Sequence, residues 1–314
     1  MRFLLTSIIS IFIALAGLNA QEAKVIPSKQ KNTPAIANSL LWAISGNGLE
    51  DTSYLYGTIH LIGKEDFFLT GKTEKAFSKS EKVTFEINME DMMDLGTQMG
   101  LMMKAFMNDG STLQDLLEEK QYEEVKTHFE ELGMTGFMWN MMERIKPMFL
   151  SVFGSMDMSG SGGGFNGDMV SYEMEFMEMA KKQDKSISGL ETAEYQMSMF
   201  DSIPYKVQAE MLYESIQVES SSSNQLDEMV ELYKKQDLRG MMKMFAADEQ
   251  GIGKYENLLL VGRNKNWIPI MEKQMKAQPT FFAVGAGHLG GENGVVNLLI
   301  NQGFSLTPLN QRSL

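Results

Sequence analysis

The chain has 314 residues, no cysteine and a net charge of −13. The missing thiols exclude a disulfide, a thiolate metal site and a cysteine nucleophile. So acidic a balance argues against nucleic acid or anionic lipid as a partner, and the length suits one α/β domain with insertions.

Residues 1–20 have the layout of a secretory signal peptide: Arg2, an apolar run from Phe3 to Leu18, then Asn19-Ala20 ahead of Gln21. About sixteen apolar residues fall short of the roughly 20 that a spanning helix needs. Without cysteine a lipid-attached start is excluded, and no later stretch is apolar enough to span. The reading is an exported protein, periplasmic or secreted. Residues 21–38 are polar, hold Pro27 and Pro34, and read as a linker. Residues 39–314 then form a single α/β domain with a helical insertion at about 89–260.

Within that domain, Leu40–Ile44 reads as a strand, and Gly46, Asn47, Gly48 and Asp51 as a turn. Tyr54–Gly57 completes a hairpin and runs into Gly57-Thr58-Ile59-His60. A short helix near Lys72–Ser80 leads to the strand Lys82–Ile87, with Glu86 near its end, on the same sheet edge as His60. Ligands gather at the carboxyl ends of strands in open α/β sheets. The stretch from Met89 to Lys146 reads as helical throughout, with Leu113, Leu116 and Leu117, then Tyr122, Val125, Phe129 and Leu132, at helical spacing. His128 lies there among glutamates and reads as a surface or groove residue. Crowded methionines such as Met99, Met102, Met103, Met138 and Met141 fit a helical core, an adaptable apolar groove for extended peptides, or soft-metal binding.

A glycine- and serine-rich loop spans 154–167. A helix follows from Met169 to Lys182, then a strand, Ser186–Leu190, ending on Glu191-Thr192. Helical segments follow at Tyr195–Phe200, Val207–Val218, Leu226–Gln236, Met241–Phe245 and Tyr255–Val261, with a break at 220–224. Arg263, Asn264 and Trp267 precede a helix over Ile268–Lys276. The strand Thr280–Val284 then runs into Gly285-Ala286-Gly287-His288. A helix over Gly294–Asn301 and a strand, Phe304–Leu306, close the chain.

Two of the three histidines therefore follow apolar strands in the same Gly-x-x-His setting. Imidazole suits both metal ligation and proton transfer near neutral pH, and glycine at a strand end permits a close backbone approach. The pattern predicts a central mixed sheet built from two related strand–Gly-x-x-His–helix–strand halves, with a helical cap between them. Histidines with carboxylates suit a divalent ion such as Zn, Mn or Co. Such an ion lowers the pKa of a bound water to about 7. Glu86 and Glu191, both near strand ends, divide the roles of base and ligand. Glu191 also fits a helix-start carboxylate. Arg263 fits either an ion pair with one of them or a grip on a substrate carboxylate.

These motifs resemble the TraB/PrgY/GumN superfamily, whose animal members include the TIKI metalloproteases. Phe85-Glu86-Ile87, Lys146-Pro147, Gly189-Leu190-Glu191-Thr192, Gln196, Arg263-Asn264, Trp267, Gly294 and Gly303 agree with its GumN-like bacterial branch. The resemblance covers roughly Leu40 to Pro308. It implies an α/β fold with a helical cap and a metal-dependent peptidase site using His60, His288 and Glu86. One departure is Asn88, where relatives often carry an acidic residue. The reading is an exported metal-dependent hydrolase acting on peptides or proteins of the cell envelope. The alternatives are a non-catalytic envelope binding protein, for a peptide signal or surface polysaccharide assembly, and a metal-independent hydrolase using histidine and glutamate as acid and base.

Overall fold

The computed structural model describes residues 36–91, 94–154, 169–219, 224–246 and 252–309. The expected signal peptide, most of the expected linker, nearly all of the glycine-rich loop and the break at 220–223 lie outside the described residues.

β1 (Leu41–Gly46) and β2 (Ser53–Thr58) form the expected antiparallel hairpin. α1 (Gly71–Lys79), capped by Thr70, leads into β4 (Lys82–Ile87). Between β2 and α1, β3 (Ile62–Gly63) pairs with β5 (Met169–Val170) in a separate two-stranded ribbon. β6 (Ser186–Glu191), β7 (Thr280–Gly285) and β8 (Phe304–Pro308) complete a six-stranded sheet of order β6-β4-β7-β2-β1-β8. Its first four members are parallel, and β1 runs against β2 and β8. The sheet is therefore mixed. The carboxyl ends of β6, β4, β7 and β2 share one edge.

β2 and β7 are buried along their whole length, as the apolar runs Tyr54–Tyr56 and Phe281–Val284 require in the middle of a doubly covered sheet. One face is covered by α1 and α7 (Tyr172–Lys182), where Phe77 and Phe176 pack on Tyr56 and Phe281. α12 (Gly262–Ala277), with α13 (Val295–Asn301) beside it, covers the other, and Gln274 accepts from Thr84. A glycine is needed where β4 and β6 close up. A Cβ on Gly189 would stand 2.4 Å from the Asn88 backbone nitrogen. Gly189→Ala is expected to cost at least the roughly 1–3 kcal/mol of an overpacked core, read as a shift in urea midpoint at constant slope.

The stretch from Met89 to Lys146 is not one helical run, and here the structure corrects the expectation. It breaks into α2 (Leu95–Lys104), α3 (Leu113–Leu116), α4 (Glu119–Glu131) and α5 (Phe137–Met142). Asp94 caps α2, and Thr112 with Asp115 forms a capping box on α3. Such side-chain acceptors hold orphan amides and fix new helix starts. α6 (Pro147–Gly154), α8 (Ala193–Phe200) and α9 (Tyr205–Glu219) pack with them. The buried Lys146 ammonium, 2.6 Å from Asp201, ties α6 to the turn after α8.

α10 (Asn224–Lys234) and α11 (Leu238–Ala246) bring the chain back to the sheet edge. Tyr233 donates there to the Gly57 carbonyl at 2.9 Å. Two further corrections follow. Met169 and Val170 are strand rather than helix, and Tyr255–Val261 divides into a 3-10 turn and a π turn. The methionines split: Met107, Met134 and Met148 are buried, whereas Met99, Met102, Met103 and Met138 stand exposed on α2 and α5. No helix among the described residues is long and apolar enough to cross a membrane.

Candidate active site

The four parallel strands deliver one side chain each to their shared edge. In sheet order these are Glu191 at the end of β6, Glu86 in β4, His288 just beyond β7 and His60 just beyond β2. Gly57 makes the last two neighbours. A Cβ there would meet the Leu289 side chain at 3.0 Å and the Ala286 Cα at 3.1 Å, so only glycine lets the second motif's turn rest on the first strand.

Arg263, in the first turn of α12, reaches between the carboxylates. Its Nη2 donates to Glu86 and, at 2.6 Å, to Glu191, and its Nε donates to Glu191 at 2.9 Å. Gln196 donates to both acids, and Trp267 Nε1 donates to the second Glu191 oxygen at 2.9 Å. Glu191 is thus a bridged carboxylate. The cap of α8 is Thr192, so the helix-start reading of Glu191 is replaced. The backbone N–H of Gly285 donates to Glu86 at 2.8 Å. Burial alone would raise the Glu86 pKa. Arg263 first, then the two histidines and the Gly285 amide, reverse this and hold the carboxyl well below its usual range.

His288 has a fixed tautomer. Asn264 spends its amide N–H groups on the carbonyls of Asn293 and His288, so its oxygen faces Nδ1 at 2.6 Å and must accept from it. Nε2 is left with a lone pair, and Arg263 Nη1 donates to that lone pair at 3.1 Å. Glu86 lies 3.7 Å away. Burial pushes this imidazole down to about 3 against the pull of Glu86, with Arg263 and His60 adding to the fall. Trp267 braces the arrangement, its ring 4.4 Å from the imidazole and 4.9 Å from the guanidinium carbon.

His60 is set differently. Its Nδ1 lies 2.8 Å from a carboxylate that the sequence reading missed, Glu173, which also accepts from Thr58 at 2.7 Å and from Ser171 at 3.1 Å. Burial lowers the His60 pKa, and Glu173, with help from Glu86, outweighs it and raises the value above the ordinary one. Nε2 of His60 has no hydrogen-bond partner among the described residues. The β3/β5 ribbon makes the meeting possible, since it begins two residues after His60 and ends three before Glu173. His128 takes no part. It lines an open acidic groove between α4 and α9.

Both histidines therefore have Nδ1 held by an oxygen, as metal-ligating imidazoles do. The site holds three carboxylates: Glu86 and Glu191 are paired with Arg263, and Glu173 with His60. Donor chemistry and charge suit a divalent ion, but the placement does not. Among the described residues no group of three or more histidine and acidic side chains is arranged to hold a metal. The His288 lone pair and Glu86 are both engaged by Arg263.

Residues 40–308 match the TraB/PrgY/gumN family, and the chain belongs to it. Its relatives include Metalloprotease TIKI1 of Danio rerio, 24% identical over 90% of this chain and 67% of the relative. Metalloprotease TIKI2 of Xenopus tropicalis is 22% identical over 87% of this chain and 61% of its own length. The chain thus spans roughly two thirds of these relatives. No solved structure gives a significant match.

Proposed function

We propose that this protein is an exported hydrolase of the cell envelope that cuts peptide bonds in peptides or proteins. The convergence of His60, Glu86, His288, Glu191 and Arg263 on one sheet edge carries the reading. Similarity to proteins named metalloproteases gives the reaction class, and the leader-like residues 1–20 give the export. Residues 39–314 act as one unit, with the helices of 89–260 as its cap. The paths β2–α1–β4 and β7–α13–β8 support the view of two related halves, each passing through a Gly-x-x-His turn.

In this reading His60 accepts and returns a proton at Nε2, oriented by Glu173 at Nδ1. Glu86 supplies fixed negative charge beside it. Arg263, whose N–H groups are all engaged, offers its positive charge to an oxygen that gains charge in the transition state. A divalent ion is the cofactor the relatives' names imply. His288 and Glu86 would hold it, and the His288 lone pair would be open to it only without the Arg263 hydrogen bond. The metal-free acid–base alternative is favoured by one observation, that Arg263 already fills the lone pair of His288.

The test pairs metal content with turnover. Protein stripped by chelation is assayed on a peptide library before and after Mn, Co or Zn is restored. Cleavage that requires the ion, with about one ion bound per chain, supports the metal-dependent form. Cleavage that survives stripping selects the acid–base form. Failure to cut any peptide under all conditions leaves a binding protein and ends the hydrolase reading.

A further inference from the structure

A small, mostly enclosed cavity lies against the two histidine turns. Thr58 and Ile59 of the first motif and Ala286 and Gly287 of the second line one side of it. The other side comes from the cap: Met229 of α10, Met241 and Met242 of α11, and Leu260 one turn ahead of Arg263. Tyr233 also lines it, but its hydroxyl is committed to the Gly57 carbonyl, so it can present only its ring. The space is about 20 Å³, enough for one or two waters by volume. It offers almost no polar partner to hold them, and apolar cavities stay dry.

A dry void in the core forfeits contacts and weakens a fold. This one is bounded on the cap side by methionines, the side chain that repacks most readily. Met242 packs directly on bare backbone. Its sulfur sits where a Cβ on Gly290 would stand, 2.2 Å away, and its methyl 3.0 Å from the equivalent point on Gly291.

We infer that the cavity is a specificity pocket for an aliphatic side chain of the substrate. It accepts the methyl of alanine as it stands, and valine, leucine or methionine once Met242 turns aside. The inference rests on the hydrolase reading and adds the substrate class. A side chain seated here has Ile59 and Gly287 against it, each one residue before a site histidine, so the adjoining peptide bond lies beside the histidine edge. Carboxylate or ammonium side chains are refused, because nothing in the lining would replace their water.

The methionines supply the probe. The mature protein carrying ¹³C-methyl methionine is titrated with N-acetyl-valinamide, N-acetyl-leucinamide and N-acetyl-aspartate amide. Signals are assigned with Met229→Leu, Met241→Leu and Met242→Leu. The expected result is a saturable shift of these three methyls with the valine probe. Binding should be at least about tenfold weaker for the aspartate probe, in line with the discrimination an apolar pocket achieves. Met242→Trp, which fills the space, should abolish the shift while the other methyl signals stay in place. If that variant fails to fold, the valine-to-aspartate ratio alone decides. Unmoved methyls, or equal response to all three probes, would overturn the pocket even if peptides are cut. Selective shifts in a protein that cuts nothing would keep the pocket and remove the hydrolase.

Discussion

Arg263→Ala is expected to cost about 3–5 kcal/mol, the usual loss when one member of a buried ion pair is removed. The melting temperature should drop by on the order of 10 °C at about 2–4 °C per kcal/mol for a chain of this size. Glu86 and Glu191 are both buried within the set, and both take hydrogen bonds from the one guanidinium. Without it, two carboxylates face each other with only Gln196, Trp267 and a backbone amide for relief. Arg263→Lys keeps the charge but loses the planar fork, so it should recover only part of the loss. The same variant tests the seat of the metal. With Arg263 gone, the lone pair of His288 is released, and a divalent ion can supply the missing positive charge. Zn or Mn should then raise the melting temperature of Arg263→Ala far more than that of the wild type, since a ligand stabilises only the state it binds. A loss below about 1 kcal/mol, the range of an exposed ion pair, would show that the carboxylates are not held as described.

Arg263 was legible as an ion-pair partner of a site carboxylate, but its place on a helix was not. His60, Glu86, Glu191 and His288 were legible because each stands at or near the end of an apolar strand. Parallel strands send such residues to one edge whatever the loops do. The strands themselves were legible for the same reason, as apolar runs closed by Gly46, Gly48 or Gly57. In the sequence Arg263 stands ahead of the helix expected over Ile268–Lys276. Proline usually marks a first helical turn, yet Pro269 lies inside α12, which starts at Gly262. That shift puts Arg263 and Asn264 on the helix and buries them against the site. The β3/β5 ribbon, two residues per strand, is too short to leave a periodic trace. Its absence from the reading hid Glu173 as well. One signal was present: Glu173 shares a buried stripe with Phe176, Met177 and Ala180, and an acid on an apolar helix face needs a partner. The breaks between α2 and α5 were hidden because the apolar residues from Leu113 to Leu132 keep helical spacing across the short junction of α3 and α4.

His60→Ala is expected to lower peptide hydrolysis by about 10²–10⁴-fold, the contribution of a positioned acid–base group. Glu173→Gln should lower it by about 10–100-fold, the usual effect of a group that orients a functional imidazole. The difference follows from geometry. His60 offers Nε2 to the reaction, while Glu173 acts only through Nδ1, at 2.8 Å, and through Thr58. The amide of Glu173→Gln can still accept from Thr58 and from Nδ1–H, so the ring stays in place. What it loses is the negative charge that favours an imidazolium. The fall should therefore lie in kcat, with KM nearly unchanged, and the urea midpoint should move little because both hydrogen bonds survive. A double variant, His60→Ala with Glu173→Gln, should be no slower than His60→Ala alone, since the carboxylate has no route to the substrate except through the ring. Additive losses in that cycle would mean that Glu173 touches the substrate or a bound ion itself, and its place would shift from orienting His60 to joining the reaction.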